Sequence, residues 1–564
     1  MKKRLLCMLL CLATLLPLSA CRDENLNELP FPEDTLESIF DSETTPPVEE
    51  SDPKPIADIK DTVIYLFEGK SKKIRYTMNA NNVPDADAKD IEWTVSTDCV
   101  SVKNGVVTAE KQGYAYVSGG GDTRCLIQVL PQEMPKLSID TGGVPVLRDD
   151  SDVDRYIDCT VSLNAESNRA FNLTEEVAGI RVRGNSTARA EKKPYRLKFA
   201  SKLNLLGMNA GAECKNWVLL SDPYDDSMIR NTAALSLASL VIDEFSADWR
   251  YVRLELNGED KGVYVLTEQS QIDENRINIE EAGADTSDVM SGYLFEMDAS
   301  PPHTGKTIIS YEDLVIREYT GKIFTRSTND VGTRELHMMI ENNGLSAEQK
   351  AFAEKYLQNI FTILYSATME EVFYEFDENY DLKRVYNTNS KEILSKVFDI
   401  DSLIRMYIHS ELVCNGDQSK KSFYLYVDFS ENGTGLCTFG CPWDFDSAFC
   451  GYKSYTFQKI EYIFAAKRNL WYVMIMNCTW FREEVCKVWK EIYEESDGFY
   501  NVQTMMTWIT EYYADDIAED AAMWGRTKDH TKYCNRTREW IRDHVEWLNK
   551  QFDPANEESV FMYP

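Results

Sequence analysis

Two groups of residues have types and spacings that could do chemistry. Asp417 stands in the polar stretch Asn415-Gly416-Asp417, just past an apolar one that contains Glu411. Asp444 and Asp446 flank Phe445 in Pro442-Trp443-Asp444-Phe445-Asp446. In extended chain, residues i and i+2 point the same way, so these two carboxylates could hold Mg²⁺ through oxygen. A third carboxylate on a nearby loop could accept the proton of an attacking hydroxyl, as phosphoryl transfer requires. The same aspartates also suit a turn and a local backbone cap, since acidic residues abound here. The second group is Arg183-Gly184-Asn185-Ser186-Thr187, followed by Lys193-Pro194-Tyr195-Arg196-Leu197-Lys198-Phe199. A glycine after a strand allows close backbone approach to a ligand. Asn185, Ser186 and Thr187 offer hydrogen bonds, while Arg183 and Lys198 offer cations suited to phosphate. A polar turn joining two strands accounts for this group as well.

These residues must be positioned by a mixed framework. Ile180–Arg183 alternates and breaks at Gly184, and Tyr195–Phe199 alternates in turn. Tyr251–Leu256 and Val263–Leu266 read as a hairpin about Asn257-Gly258. Between them a helix is expected over 227–243, with Ser227 as its N-cap. Ser346-Ala347-Glu348-Gln349 is a capping box opening a helix that turns Phe352, Tyr356, Phe361 and Leu364 inward. Another helix is expected over 400–414, then a strand over Phe423–Val427, ahead of the aspartates. The aromatic-rich last hundred or so residues read as packed helices, their aromatics core rather than a cofactor box.

Upstream, residues 56–131 carry short alternating strands, among them Val63–Leu66, Lys73–Tyr76, Ile91–Val95 and Tyr114–Val117. Asn104-Gly105 marks a tight hairpin. Trp93, Val100-Ser101-Val102, Asn104-Gly105-Val106-Val107 and Gly113-Tyr114-Ala115 resemble bacterial immunoglobulin-like (Big_2-type) domains. Such a sandwich would bury Trp93 between its sheets and most often serves as a spacer.

The N-terminus reads as an address. Met1-Lys2-Lys3-Arg4, the apolar run Leu5–Leu18 and Leu18-Ser19-Ala20-Cys21 make a signal peptide over 1–20. Its end resembles a lipobox, so Cys21 is expected to carry lipid and anchor the protein outside the cytoplasm, in the cell envelope. Residues 21–55, acidic and poor in apolar side chains, read as a disordered tether. The net charge of −33 argues against nucleic acid, and against a membrane attachment other than the acyl chains. Setting aside Cys7, Cys11 and Cys21 leaves eleven irregularly spaced cysteines, which is no disulfide framework, although Cys99 and Cys125 sit on two strands that could pair. Cys437 and Cys441 lack the partners a structural zinc needs.

The stretch from about 136 to 455 resembles the CotH kinase family, the spore-coat protein H group of atypical kinases. The resemblance rests on Arg183–Thr187, Lys193–Phe199, Trp217–Leu220, Asp226–Asn231, Leu256–Gly258, Lys261–Tyr264, Leu266–Gln269, Gly292–Glu296 and Pro442–Asp446, all in order. It implies a multidomain protein: the small all-β sandwich, then an α+β kinase-like domain over 136–564, strand-rich over 136–335 and helical over 345–564. It further implies ATP with Mg²⁺ or Mn²⁺ and transfer of phosphate to Ser or Thr hydroxyls of a protein acceptor. Carried over, Asp417 is the catalytic aspartate, and Asp444 and Asp446 hold the metal. Lys198 contacts the nucleotide phosphates, Arg183, Asn185 and Ser186 lie beside them, and Glu268 or Gln269 orients the site. Ser227, Arg230 and Asn231 are family positions with a structural role as their alternative. One departure is Ser422, where kinases often place a metal-binding Asn five residues after the catalytic Asp. That departure leaves a second reading, a surface binding protein for an envelope glycan or protein that kept the scaffold without the chemistry. A glycoside hydrolase built on two of the many carboxylates is a third, which no residue pattern selects.

Overall fold

The computed structural model describes residues 54–564 apart from 82, 84–85, 149–151, 153–154, 282–286, 300–306, 311–315, 323–334, 450–458 and 527–528. The expectations for the signal segment, for Cys21 and for all but the end of the tether lie outside these residues.

The first described strands are β1 (Ile56–Ile59), β2 (Val63–Phe67), β3 (Ser71–Lys73), β4 (Tyr76–Asn79), β5 (Thr94–Val95), β6 (Val100–Lys103), β7 (Val106–Ala109), β8 (Gly113–Ser118) and β9 (Arg124–Leu130). They form sheets of order β2-β9-β8-β5 and β3-β7-β6, plus the pair β1-β4, with β2 running parallel to β9. Asn104 and Gly105 both take positive φ between β6 and β7, as a two-residue turn of this kind demands. Trp93 departs from expectation. It is half-buried at the margin, edge-on to Tyr76 at 5.2 Å and lying over Gly105, because the strand expected over Ile91–Val95 shrinks to two exposed residues. Cys99 and Cys125 are both buried free thiols.

Strand β2 explains how this unit sits. Its five residues are all buried. Ile64 and Leu66 point into the sandwich core, whereas Val63, Tyr65 and Phe67 join the core of the following body. A strand covered on both faces reads as a continuous apolar run, which is what Val-Ile-Tyr-Leu-Phe is. Phe67 stacks on Tyr512 at 5.0 Å and meets Tyr513 edge-on, and Tyr65 stacks on Trp249 at 5.5 Å. The Arg250 guanidinium donates to Gln128 at 2.5 Å. The sandwich is thus packed onto the body rather than held away from it as a spacer.

The body begins with β10 (Lys136–Asp140), β11 (Ile157–Asn164), β12 (Leu173–Val182), β13 (Tyr195–Leu203) and β14 (Cys214–Leu220). After α1 (Arg230–Val241) come β15 (Trp249–Leu256) and β16 (Glu259–Glu268). These seven strands close a barrel in the order β10-β11-β12-β13-β14-β16-β15, sealed by parallel pairing of β10 with β15. Alternation sends Leu137, Val161, Ile180, Leu197, Trp217, Leu254 and their neighbours inward to fill it. Asn257 and Gly258 make the expected tight turn, both at positive φ. Helix α1 starts three residues later than expected. Ser227 does not cap it; the Asp225 carboxylate does, accepting from the Ser227 and Arg230 N–H groups at 2.8 and 2.9 Å.

A second sheet has the order β18-β19-β17-β22-β23, from β17 (Gly292–Asp298), β18 (Thr307–Ser310), β19 (Glu335–Ile340), β22 (Lys421–Asp428) and β23 (Thr438–Phe439); β20 (Phe373–Phe376) and β21 (Leu382–Val385) form a separate hairpin. The remaining helices are α2 (Ala347–Tyr365), α3 (Ser390–Leu394), α4 (Ile400–Val413), α5 (Leu470–Ile475), α6 (Thr479–Glu495), α7 (Gly498–Tyr512), α8 (Ala514–Met523) and α9 (His530–Gln551), of which α7 packs on β2 and α8 on β16. The capping box at Ser346 and Gln349 is present. Of the aromatics on the last helices, Tyr472, Trp489 and Trp540 are buried in one cluster. Among the described residues no helix is long and apolar enough to cross a membrane.

Candidate functional site

A cleft of about 330 Å³ lies between the barrel rim and the second sheet. Each side follows from local folding. Helix α4 ends at Cys414, in the left-handed region at φ 45°, and a short turn over Gly416–Ser419 then carries Asp417 into the cleft. Lys421 opens β22 and reaches Asp417 at 3.0 Å and Asp444 at 3.9 Å. The Ser447 hydroxyl donates to Asp417 at 3.3 Å. Burial pushes the Asp417 carboxyl above its ordinary range, and Asp444 adds to this against the pull of Lys421.

Asp444 and Asp446 are close together, but not along extended chain as expected. Asp444 sits at φ 63°, a strained setting for a non-glycine residue of the sort found at functional sites. Its backbone carbonyl accepts from Asn415 Nδ2 at 2.7 Å, and its carboxylate accepts from the Ser422 hydroxyl at 3.2 Å. Asp446 accepts from Asn231 Nδ2 at 3.0 Å. Burial pushes its carboxyl up to about 8, with Asp444 and Asp222 adding to the effect. Glu296 on β17, also lining the cleft, is pushed up to about 8 by burial and then by Glu341 and Asp298.

The opposite wall is cationic. Arg181 on β12 is paired in register with Arg196 on β13, and both line the cleft with Arg183. Like charges directly across an antiparallel pair repel, which an anion between them would relieve. Arg196 Nε is buried without a hydrogen-bond partner among the described residues. The Arg183 guanidinium lies over the Trp443 ring at 5.3 Å, fixing one wall against the other. Arg148 donates to the carbonyl of Gly184.

The anticipated residues divide as follows. Arg183, Asn185, Ser186 and Gln269 line the cleft from the barrel side, and Asp417, Asp444 and Asp446 line the far side. Lys198 does not line it. On β13, Tyr195, Leu197 and Phe199 fill the barrel while Arg196 and Lys198 face outward; Arg196 stands at the cleft and Lys198 is two residues past it, exposed. The signal for Arg196 and Arg181 was available in that same alternation. Glu268 does not line the cleft either, since it is fully buried on β16. Its carboxylate accepts from the Asp248 N–H at 3.0 Å and lies 3.5 Å from Arg276 Nε. Glu411 is likewise structural, accepting from the Phe464 and Ala466 N–H groups and from the Tyr407 hydroxyl.

Burial of Glu268 has a measurable consequence. Its carboxyl is raised from 4.5 to about 7, chiefly by desolvation and against the pull of Arg276. The folded form therefore holds this proton more tightly than the unfolded chain does. The stabilising contribution is full below pH 4.5 and is lost as pH rises through about 7. Denaturant melts of wild type and Glu268→Gln between pH 4.5 and 8 should show the wild type losing stability relative to the variant as pH rises. Parallel curves would refute this.

The donor set also speaks to a metal. Carboxylate and hydroxyl oxygens, with neither thiol nor imidazole, suit a hard cation such as Mg²⁺. Among the described residues no three His, Cys, Asp or Glu side chains converge on one point. Two protein carboxylates plus phosphate and water are a common Mg²⁺ arrangement, so Asp444 and Asp446 fit it.

An arginine wall facing a carboxylate wall defines a site suited to a phosphorylated ligand and a hard cation. The sequence pattern of the CotH kinase protein family matches residues 180–550, well over half of the 564, and the chain belongs to that family. No curated protein matches the chain. The family segment leaves out the sandwich, and its first residue falls inside β12.

Proposed function

We propose that the protein transfers the terminal phosphoryl group of ATP to Ser or Thr hydroxyls of a protein acceptor, with Mg²⁺ or Mn²⁺. The observation that carries this reading is the facing of Arg181, Arg183 and Arg196 toward Asp417, Asp444 and Asp446 across one cleft. The arginines bind phosphate oxygens and offset the charge that builds in transfer. Asp417 takes the proton of the attacking hydroxyl, held in place by Lys421 and Ser447. Asp444 and Asp446 would hold the divalent ion, which supplies charge neutralisation on the phosphates. The binding-protein alternative drew on Ser422, yet that hydroxyl donates to Asp444, a supporting role compatible with catalysis.

The strand order β2-β9-β8-β5 against β3-β7-β6 supports an immunoglobulin-like identity for the sandwich. The Leu18–Cys21 motif supports lipidation at Cys21 and an envelope location, tested by labelled fatty acid incorporation that Cys21→Ala should abolish. For the activity, the full chain is incubated with γ-labelled ATP, Mg²⁺ or Mn²⁺, and envelope protein. Label on Ser or Thr is expected. No transfer, together with no metal-dependent thermal shift by ATP, would sink the proposal.

A further inference from the structure

Asp446 is reached by a side chain that the chemistry so far leaves without a role. Asn231, in the first turn of α1, is 1% exposed and uses its whole amide. Its Oδ1 accepts from the Phe445 N–H at 2.9 Å, between the two aspartates. That bond fixes which way the amide points. Its Nδ2 therefore faces carboxylates, donating to Asp446 Oδ1 at 3.0 Å and to Asp222 Oδ1 at 2.7 Å. An NH₂ group has two hydrogens, and each is committed.

Asp222 is fixed in turn. It lies at φ 44° in the loop after β14, 2% exposed, and its carbonyl accepts from Arg526 Nη1 at 3.0 Å. Arg526 also binds the carboxylate of Asp520 on α8. Asp520 is wholly buried, 2.6 Å from Lys192 Nζ and accepting from the Val263 N–H on β16 at 2.9 Å. A continuous buried polar chain thus runs from α8 through Arg526 and Asp222 to Asn231 and Asp446. Each link is hydrogen-bonded, and such a chain restricts the positions open to the side chains it joins.

We propose that Asn231 is a positioning residue which sets the distance between Asp446 and Asp444 for the divalent ion, and that Asp222, clamped by Arg526 and α8, holds Asn231. The inference rests on the phosphotransferase reading. The amide identity is essential to it. An aspartate of the same shape would still accept from Phe445 but would present a third carboxylate to Asp222 and Asp446 instead of two donors.

The test is calorimetric titration of Mg²⁺ into full-length protein saturated with a non-hydrolysable ATP analogue, with the analogue's affinity in EDTA measured beside it. Asn231→Asp and Asn231→Ala should each need at least about tenfold more Mg²⁺ for half-saturation, the range found when groups supporting a metal ligand are removed. Affinity for the analogue in EDTA should stay within about threefold, because the arginine wall is untouched. Should either variant fail to fold, Asp222→Ala and Asp222→Asn supply the same reading. Asp222→Asn keeps an acceptor oxygen for Asn231 and should lie near wild type, whereas Asp222→Ala should shift Mg²⁺ half-saturation upward. Unchanged Mg²⁺ half-saturation in Asn231→Asp, or an equal loss of affinity in EDTA, overturns the positioning role. A wild-type protein that takes up no Mg²⁺ with the analogue overturns the phosphotransferase reading, and this inference with it.

Discussion

Asp417→Asn lowers the rate of phosphoryl transfer by about 10²–10⁴-fold, the usual share of a positioned general base. Binding of ATP with Mg²⁺, read as a thermal shift, stays within about threefold of wild type. The two outcomes separate because the amide keeps the size of the carboxylate and can still accept from Ser447, while it can no longer take a proton. Lys421 loses an ion-pair partner at 3.0 Å but keeps Asp444 near, so the cleft retains its shape. Equal loss of binding and transfer would show that Asp417 serves the ground state rather than the reaction.

The second large effect belongs to Asp444→Ala. Nucleotide binding should lose its dependence on Mg²⁺, and transfer should fall about 10²-fold or more, as expected when a ligand of a catalytic ion is removed. Asp444 is the better probe of the pair. Its side chain is about a quarter exposed, at 26%, whereas Asp446 is tied into the buried network behind α1. A variant with wild-type Mg²⁺ dependence would move the ion elsewhere in the cleft.

Local chemistry made much of this legible. Asn104-Gly105 and Asn257-Gly258 specify tight turns whatever surrounds them, and Ser346 with Gln349 specifies a helix start. Seven anticipated site residues do meet in one cleft. Features decided by distant partners were not legible. Barrel closure depends on Lys136 finding Arg253 across the chain, a pairing that no local pattern encodes. The choice of Arg196 over Lys198 depends on where along β13 the cleft falls, although both side chains face the same way. The immunoglobulin-like resemblance puts Trp93 in the interior, but the strand there shortens to Thr94–Val95 and leaves Trp93 at the margin. Ser227 is a good capping residue in the abstract, and Asp225 outcompetes it by reaching two N–H groups at once.

The place where the family segment begins also matters at the bench. Ile180 lies in β12, paired with Ile157 on β11 and Leu197 on β13. A piece cut at that residue lacks β10, β11 and most of β12, so the stump of β12 and β15 become raw edges and the barrel interior meets water. Starting instead at Lys136 would close the barrel but strip Tyr65 and Phe67 from Trp249, Tyr512 and Tyr513. What lineage has kept recognisable is therefore shorter than what a ribosome must deliver for the enzyme-like body to stand. Heredity marks the chemistry, and solubility sets a longer minimum.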